Sequence, residues 1–412
     1  MTSAASPGVP SGPVGYDRRV STGRSGAGHG GPDRVRVLYL LDSTRGGGGA
    51  ERIAVLVLEQ LDPVRFDRTI CVSRHATPEV IDELRRSGVD VLSLARKSRY
   101  DVAPWLRLVA LGRRRRFHVV HAHKHGSNVW ASILAPLLRI PIFFAHEHSW
   151  PFAGNLRRLL LDRFLIARRA TRVIAVSEAD RDAMIRVEKI DPARIVVLPN
   201  GIADPVVGDV DAVREELGIP AAAPVVTCIG ARPEKRIERV VEALSTVRGS
   251  HPDVRLLVIG RGYDERTLPA LVERLSLNDA VHFLGFRSDI ATLLKLTDVG
   301  VIASDREGSP LAVLEYMAAG CGIVVSRVGG IPDMVRHGEE GLLVEPGDVE
   351  GLADGIRTLI DDPELRRRLG AAAEQRRREE FSLQTLVART EALYEEGLVW
   401  AGLRTAPPAA DD

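Results

Sequence analysis

Cysteine is scarce in this sequence, and its few copies are scattered. Only three of the 412 residues are cysteine, namely Cys71, Cys228 and Cys321, and none of them forms a CxxC pair. Structural zinc sites and disulfide frameworks need several cysteines at short, regular spacings. The sequence therefore predicts neither of these, and it fits a reducing compartment.

Long apolar runs are missing as well. No stretch reaches the roughly 18 consecutive apolar residues of a membrane-spanning helix, and the first residues lack the apolar core of a signal peptide. We therefore expect a cytoplasmic protein that is at most peripheral at the inner face of the cell membrane. Apolar residues make up 45% of the chain and charged residues 27%, which is typical of globular proteins rather than disordered or fibrous ones.

Positive and negative charge are divided unevenly along the chain. Residues 34–201 hold 29 lysines and arginines against 17 acidic residues, whereas the residues after 201 hold 24 against 36. A basic half favours an anionic partner, such as a lipid phosphate or an anionic membrane surface. The alternative is that two oppositely charged domains attract each other. We expect no nucleic-acid partner.

The first half of the chain shows a regular alternation of element types. Residues 1–33 are rich in Ser, Gly and Pro and are predicted to be a disordered tail. Residues 34–200 alternate short β-rich runs, such as RVRVLYLLD and FHVVHAH, with helical patterns. Such alternation is typical of a doubly wound parallel sheet, so this segment is predicted to be one Rossmann-like domain.

A break rich in Pro, Asn and Gly separates this series from a second one. The segment IVVLPNGIADP at 195–205 predicts a hinge, and residues 201–385 repeat the alternation from PVVTCIG to GIVVS. Residues 386–412 are predicted to be a tail and a C-terminal helix that can pack back on the first domain. Ligands bind at the carboxyl ends of strands in open α/β sheets, so the cleft between the two domains is the expected site.

The densest cluster of functional residue types is SDREGSPLAVLEYMAAG at 304–320, which follows a predicted strand and opens a helix. Gly308 allows close approach of the backbone to a ligand, Ser309 is a good N-cap, and Pro310 suits the first helical turn. The free N–H groups of such a turn form an anion site. The cluster therefore predicts a site for a phosphate-bearing ligand.

Two glutamates flank this turn. Glu307 stands just before it and Glu315 about one and a half turns into the helix, and carboxylates are strong acceptors for sugar hydroxyls. Their spacing resembles the ExxxxxxxE signature of the retaining GT-B glycosyltransferases of family 4, the glycosyl transferases group 1. Further segments that resemble the family follow in its order, over roughly residues 34–390 of the chain: PNGI, IGARPEKR, VIGRG, LGF and GGIPDMVRHGEEGLLVEPGD.

The resemblance implies a GT-B fold, in which two facing Rossmann-like domains with doubly wound parallel sheets enclose a cleft. The N-terminal domain would take the acceptor, and the C-terminal domain would take a UDP- or GDP-linked sugar. The implied reaction is retaining transfer of a hexose to a hydroxyl of a glycan or lipid-linked acceptor, in the synthesis of a cell-surface polysaccharide or glycolipid. The base, the sugar and the acceptor stay open.

In the C-terminal domain, the resemblance assigns roles to residues of the matching motifs. Glu315 would hold the ribose hydroxyls, and Glu307 would hold the donor sugar near its C3 or C4 hydroxyl. Arg232 and Lys235 would meet the diphosphate, although the family usually spaces this pair further apart, so that the chain departs from the pattern at Arg232. The other donor-binding residues that the resemblance implies are Gly260, Phe286, Gly308, Ser309, Pro310, Leu311 and Ala312.

In the N-terminal domain, the run GGGGAE at 46–51 resembles the glycine loop of the family. Gly48 and Gly49 would approach the donor phosphate. A dinucleotide-binding turn is the alternative, but Glu51 stands where that motif needs its third glycine. His148, in AHEHS, matches the histidine on the acceptor side of the family's cleft.

The sequence marks no carboxylate as a nucleophile. The expected mechanism is therefore a front-face displacement, in which the departing phosphate oxygen helps to deprotonate the acceptor hydroxyl. Lys235 and Arg232 would offset the charge of the leaving group without a metal, and no cofactor is implied. The histidines of HVVHAHKHG and AHEHS could bind a metal instead, but no cysteines are paired with them. The alternative functions are a sugar-nucleotide epimerase, a noncatalytic sugar-nucleotide-binding protein and a nicotinamide oxidoreductase.

Overall fold

The computed structural model describes residues 34–44, 49–98, 101–148 and 155–404. The predicted tail at 1–33 and Gly48 lie outside these residues. The first sheet is parallel throughout, and its strands lie in the order β3-β2-β1-β4-β5-β6-β7. These strands are β1 (Val35–Ser43), β2 (Phe66–His75), β3 (Asp90–Ser93), β4 (Val119–His123), β5 (Ile142–His146), β6 (Arg172–Ala175) and β7 (Ile195–Val197).

The second sheet is also parallel, with the order β10-β9-β8-β11-β12-β13. The two sheets confirm the prediction of two doubly wound α/β units. The strands of the second sheet are β8 (Val225–Ile229), β9 (Arg255–Ile259), β10 (Val281–Gly285), β11 (Val299–Ile302), β12 (Gly322–Ser326) and β13 (Leu342–Val344).

The helices of the first half cover both faces of the first sheet. A π-helical segment, Asp162–Ile166, joins α5 to α6, so that residues 156–169 form one continuous helix that changes its pitch. The side chain of Asn155 caps this helix by accepting from the N–H of Arg158. The helices are α1 (Gly49–Gln60), α2 (Pro78–Arg86), α3 (Trp105–Arg115), α4 (Lys124–Leu137), α5 (Leu156–Leu161), α6 (Ala167–Arg169) and α7 (Glu178–Ala183).

Nine further helices follow the interdomain crossing within residues 201–404. They are α8 (Val210–Glu216), α9 (Ile237–Val247), α10 (Thr267–Arg274), α11 (Ile290–Lys295), α12 (Leu311–Ala319), α13 (Ile331–Met334), α14 (Val349–Asp361), α15 (Pro363–Glu380) and α16 (Leu383–Trp400). Across the described residues of the whole chain, no helix is both long enough and apolar enough to cross a membrane.

Alternation along β1 shows how each sheet builds a core on both faces. Tyr39 and Leu41 pack into one buried cluster, whereas Leu38 and Leu40 pack into the cluster on the opposite face. Successive side chains of a strand point to opposite sides, so a strand that is buried on both faces must be apolar at nearly every position. The run VRVLYLL has this composition, and β1 lies in the interior of its sheet, between β2 and β4.

The last helix, α16, returns to the first domain. Its residues Leu393, Tyr394 and Leu398 are buried in the same cluster as β1. The hydroxyl of Tyr394 donates to the hydroxyl of Tyr39 over 2.9 Å. Helix α16, near the C-terminal end of the described residues, therefore completes the core of the first domain.

The two segments that cross between the domains lie side by side. Ile202 and Ser382 form a parallel bridge, in which the N–H of Ile202 donates to the carbonyl of Phe381 over 3.0 Å. The predicted hinge at 195–205 contains the crossing residue Ile202, but its first residues, Ile195–Val197, form β7 and pair with β6. A strand of three residues followed by Pro199 is too short for its periodicity to be read from the sequence.

Candidate active site

Both sheets have a point at which the strand order reverses. It lies between β1 and β4 in the first sheet and between β8 and β11 in the second. The connections after these two strands run in opposite directions and open a crevice between them. Open α/β sheets bind their ligands in this crevice. Lys235 lies in the loop after β8 and Glu307 in the loop after β11. On the opposing domain, an ion pair between Glu51 and Lys124 joins the connections that follow β1 and β4.

Lys235 and Glu307 form an ion pair in the second crevice. The Nζ atom of Lys235 lies 2.5 Å from Oε1 of Glu307, and the hydroxyl of Ser304 donates to the same oxygen over 2.6 Å. The two charged side chains are only 10% and 11% exposed. Removal of one partner from a buried pair typically costs about 3–5 kcal/mol, because it leaves the other charge uncompensated. The pair is therefore a fixed element of the crevice.

Helix α12 begins at Leu311, just after the loop that carries Glu307, but its cap differs from the prediction. Pro310 stands at the N-cap and offers no side-chain hydrogen bond. Ser309, predicted as the cap, is bonded to Asn200 instead: the N–H of Asn200 donates to its hydroxyl over 3.1 Å and the Asn200 amide to its carbonyl over 2.7 Å. The first turn, with Leu311 and Ala312, thus has no side-chain cap, and uncapped N–H groups are what an anion site needs.

Two glycines after β12 hold the loop that carries Glu307. A Cβ atom on Gly329 would clash with the carbonyl oxygen of Glu307, and a Cβ on Gly330 would clash with that of Gly308. Gly329 also has a φ of +52°, in the left-handed region that favours glycine. This role was not predicted, although the paired glycines of GGIPDMV were a signal in the sequence that a backbone approaches closely there.

Gly308 brings the loop that precedes α12 against the N-terminal domain. A Cβ atom on Gly308 would lie 3.0 Å from the carbonyl oxygen of His148 and equally close to Asp180 and Val176. A side chain here would push these neighbours apart, so glycine suits this close approach. The backbone between Glu307 and α12 is therefore next to the predicted acceptor-side histidine.

Arg52 of α1 reaches Glu315 of α12 across the cleft. The guanidinium Nη1 lies 3.3 Å from Oε1 of Glu315, whose side chain is 13% exposed, whereas that of Arg52 is 65% exposed. Burial raises the pKa of Glu315, and the charge of Arg52 opposes this shift. Gly49 packs beside this contact, since a Cβ there would lie 3.0 Å from Cδ1 of Leu311. Arg52 was not predicted from the sequence, because nothing in the spacing of residues 263 positions apart indicates contact.

Three other residues predicted to bind the donor, Arg232, Phe286 and Gly260, take no part in the Lys235–Glu307 ion pair. The side chain of Arg232 is 63% exposed, lies 3.4 Å from Glu234 and lines a cavity of about 400 Å³ between α9 and α10. Phe286 follows β10 at the sheet edge and is 67% exposed. The N–H of Gly260 donates to the carbonyl of Gly285 over 2.7 Å, which ties the loop after β9 to the end of β10. The structure thus brings together Lys235, Glu307 and the start of α12, whereas Arg232 and Phe286 have exposed side chains outside this ion pair.

His148 is the end of a stack of four histidines at the carboxyl ends of β4 and β5. Nε2 of His148 is 2.9 Å from Nδ1 of His123, and Nε2 of His121 is 3.2 Å from Nδ1 of His146. His121 also bonds the hydroxyl of Tyr394 over 2.6 Å. Burial lowers the pKa of each of these histidines, for His146 to about 3. The stack is therefore neutral near pH 7.

Possible ligand atoms of His121, His123 and His146 lie within 4.8 Å of one another, as in a metal site. The rings are stacked, with interplanar angles of 22° for His121 and His123 and 12° for His121 and His146. The in-plane lone pairs of these rings therefore lie in nearly parallel planes, and the nitrogens of His121 and His146 are already hydrogen-bonded to each other, whereas ligands of a tetrahedral ion must converge on it. The observed arrangement fits a hydrogen-bonded stack better than a ligand set.

A second polar cluster lies beside the stack and holds α5. The buried carboxylate of Glu147 accepts from Asn128 over 2.8 Å and from Arg158 over 3.2 Å. Asp162 accepts from Arg158 over 3.3 Å and lies 2.8 Å from Nδ1 of His125. Burial raises the pKa of Glu147 to about 7, and the charge of Arg158 opposes the shift. His125 and the two carboxylates are close enough for a metal, but Arg158 already places a positive charge between them.

The chain matches family models over most of its described length. Residues 209–376 match the model of glycosyl transferases group 1, and residues 47–204 match that of glycosyltransferase family 4. Glycogen synthase of Mycobacterium tuberculosis is 30% identical over 305 residues, which cover 70% of this chain and 72% of that enzyme. The UDP-Gal:alpha-D-GlcNAc-diphosphoundecaprenol alpha-1,3-galactosyltransferase of Escherichia coli is 27% identical, over 77% of this chain and 86% of that enzyme. N-acetyl-alpha-D-glucosaminyl L-malate synthase of Bacillus anthracis is 35% identical, but the match spans only half of that enzyme and 46% of this chain.

Solved structures confirm the fold. HepE of Anabaena, solved in complex with UDP and glucose, superposes with a TM-score of 0.77 and covers 88% of this chain and all of its own, at 23% identity. Sucrose-phosphate synthase of Thermosynechococcus elongatus superposes with a TM-score of 0.73 over 90% of this chain. With two doubly wound sheets facing each other across a cleft, the chain has the GT-B fold and belongs to the glycosyl transferases group 1 as a glycosyltransferase.

Proposed function

We propose that this glycosyltransferase moves a hexose from a UDP- or GDP-linked sugar to a hydroxyl of a glycan or lipid-linked acceptor, with retention of anomeric configuration and without a metal. The observation that carries the proposal is the buried Lys235–Glu307 pair at the crevice of the second sheet, directly before the uncapped start of α12. A cation, a carboxylate and a helix N-terminus in one place suit a ligand that carries both phosphates and sugar hydroxyls.

The donor would lie along α12 and its preceding loop. Its diphosphate would accept from the N–H groups at Leu311 and Ala312, and Lys235 would offset its charge. Glu315 would accept from the ribose hydroxyls and Glu307 from hydroxyls of the sugar. UDP and glucose are bound by the Anabaena neighbour, and the E. coli relative is named for UDP-galactose, which supports a nucleotide-sugar donor.

The reaction would be a front-face displacement. The bond between the anomeric carbon and the phosphate oxygen breaks, the acceptor oxygen bonds that carbon from the same side, and the acceptor proton passes to the departing phosphate. Lys235 stabilises the charge that develops on this phosphate, and the protein contributes mainly position and preorganised charge. His148 would line the acceptor side, where its neutral ring can accept or donate a hydrogen bond.

The acceptor would be a glycan or a lipid-linked glycan of a cell-surface polysaccharide or glycolipid. The basic first half of the chain favours an anionic acceptor or an anionic membrane surface. The name of the E. coli relative includes a diphosphoundecaprenol-linked acceptor, and this supports the lipid-linked alternative.

A thermal-shift series with UDP, GDP, ADP, TDP and NAD, each with and without EDTA, tests the donor site. Saturation to 100 times the dissociation constant adds about 2.7 kcal/mol to the unfolding free energy, which is readily seen. We expect one nucleoside diphosphate to raise the Tm equally with and without EDTA. Stabilisation by NAD alone would favour an oxidoreductase, and loss of the shift with EDTA would contradict metal independence.

Product analysis separates sugar transfer from epimerisation and from binding alone. The stabilising nucleotide is supplied as its glucose, galactose and N-acetylglucosamine derivatives, and the anomers formed on a model acceptor are identified by NMR. We expect an α-linked product from an α-linked donor. Inversion at a sugar carbon of the donor without transfer would identify an epimerase, and binding without any turnover would support the noncatalytic alternative.

A further inference from the structure

The helix that follows the acceptor-side histidine exposes apolar side chains in a regular pattern. Leu156, Leu160 and Phe164 succeed one another at intervals of four residues and are 66%, 43% and 46% exposed. Residues at this spacing lie on one side of a helix. A folded helix that leaves three large apolar groups in water has a surface suited to an apolar environment.

Arginines surround this row. Arg157, Arg163 and Arg168 are exposed, and the guanidinium groups of Arg163 and Arg168 lie 5.0 and 5.2 Å from the centre of the Phe164 ring. Asp162 is the only acidic residue between Leu156 and Arg169, and it is buried. We call the surface formed by Leu156, Leu160, Phe164, Arg157, Arg163 and Arg168 the α5–α6 face.

The α5–α6 face is held firmly on the domain. Arg158 turns inward from the same helix to Glu147 and Asp162, and Ile166 is buried in the core. Helix α4, which packs against residues 162–166, exposes Ile133 and Leu137 as well. The apolar groups are therefore exposed by an ordered helix with its own buried side.

We infer that the α5–α6 face binds the surface of an anionic lipid bilayer. The face has apolar side chains flanked by arginines and no exposed acidic group among them. These properties complement an anionic bilayer, which is apolar in its interior and negative at its surface. Arg158 ties this helix to Glu147, the residue that precedes His148, so the bound face lies beside the acceptor side of the cleft. This inference rests on the proposed lipid-linked acceptor, to which a membrane-bound orientation would give direct access.

Flotation of the full chain with vesicles tests the inference. The vesicles contain phosphatidylcholine alone or phosphatidylcholine with about 30% phosphatidylglycerol, at about 50 mM and about 300 mM salt, which span strong and weak screening of surface charge. We expect binding to the anionic vesicles at low salt and little binding to the neutral ones. Leu160→Ser with Phe164→Ser should reduce the bound fraction at least tenfold, and Arg157→Gln with Arg163→Gln should do the same.

Two matched double variants in and just before α3 are the controls. Val102→Ser with Leu106→Ser changes two exposed apolar groups of the same domain, and Arg113→Gln with Arg114→Gln changes two exposed arginines. Both should bind as the wild type does. Absence of wild-type binding, or equal loss in these control variants, would overturn the inference.

Two further readouts separate lipid binding from self-association and from damage to the donor site. If light scattering shows a wild-type dimer that Leu160→Ser with Phe164→Ser converts to monomer, the face is an interface between copies and the lipid inference is wrong. Nucleotide thermal shifts on the same preparations should be identical in all variants. If the wild type binds nucleotide but does not float with vesicles, only the inference about the α5–α6 face is refuted. If it floats with vesicles but binds no nucleotide, only the proposed donor site is refuted.

Discussion

The guanidinium of Arg52 occupies one oxygen of Glu315, the carboxylate that is assigned to the donor ribose. The two residues belong to different domains, and their atoms are 3.3 Å apart. Because Glu315 is mostly buried while Arg52 is mostly exposed, the carboxylate has few alternatives to this partner. A ribose that binds Glu315 must therefore share it with Arg52 or displace it.

Arg52→Ala should tighten the binding of the nucleoside diphosphate. An ion pair with an exposed partner contributes about 0.2–1 kcal/mol, which limits the gain to about fivefold. Isothermal titration with UDP and GDP measures the change. Arg107→Ala, at an exposed arginine of α3, is the control for a general loss of charge. Weaker binding by Arg52→Ala would show instead that Arg52 supports the bound nucleotide.

Lys235→Ala and Glu307→Gln should each lower turnover well over tenfold. Each removes one partner of a buried pair at the position where charge develops on the departing phosphate. Initial rates with the preferred nucleotide sugar measure the loss. The double variant restores charge balance, so it should recover thermal stability without recovering activity. Arg232→Ala, at an exposed side chain, should cost less than tenfold. Near-normal rates in both single variants would refute the assigned roles.

Gly329→Ala should abolish activity and destabilise the fold. The new methyl group would clash with the carbonyl of Glu307, and φ at this position is +52°. Strained backbone of this type costs about 1–3 kcal/mol, before any displacement of the loop. Urea unfolding and initial rates are the measurements. Gly338→Ala is a matched control, since Gly338 also has a positive φ, but a Cβ there would meet nothing within 4 Å. Equal effects of the two substitutions would show that backbone strain alone is responsible.

Acid should destabilise the protein through the histidine stack. The buried histidines have lowered pKa values, about 3 for His146, whereas unfolded histidines titrate near about 6.5. Their contribution is therefore complete above about pH 6.5 and falls with decreasing pH by about 1.4 kcal/mol per unit for each histidine. Glu147, with its pKa raised to about 7, opposes the effect of one histidine.

His146→Gln tests this dependence. Unfolding free energies between about pH 7.5 and about pH 5 should fall less steeply in the variant, by about one proton. A variant with an unchanged slope would show that His146 takes up its proton in the folded protein.

The sequence predicted elements with strong periodicity and missed those without it. The continuous apolar runs of β1 and β8 were recognisable as buried strands, and the motif at 304–320 located Glu307 on a loop before α12. Strand β13 has only three residues, and its place beside β12 depends on contacts that no local pattern encodes. Lys235 was matched by its motif, whereas Arg52 was missed because its partner lies in the other domain. The prediction of Ser309 as the N-cap of α12 was wrong for a similar reason, since the N–H of Asn200 donates to its hydroxyl.

Because Ile202 and Ser382 form a bridge, the domain that contains the second sheet is an insert within a loop of the first domain. Its entry and exit are adjacent, while the helix that closes the first core comes only after the exit. A unit with adjacent ends can be exchanged for a related one without breaking the continuity of its host. Truncation at residue 382 would instead leave the host without α16, and hence with an open core.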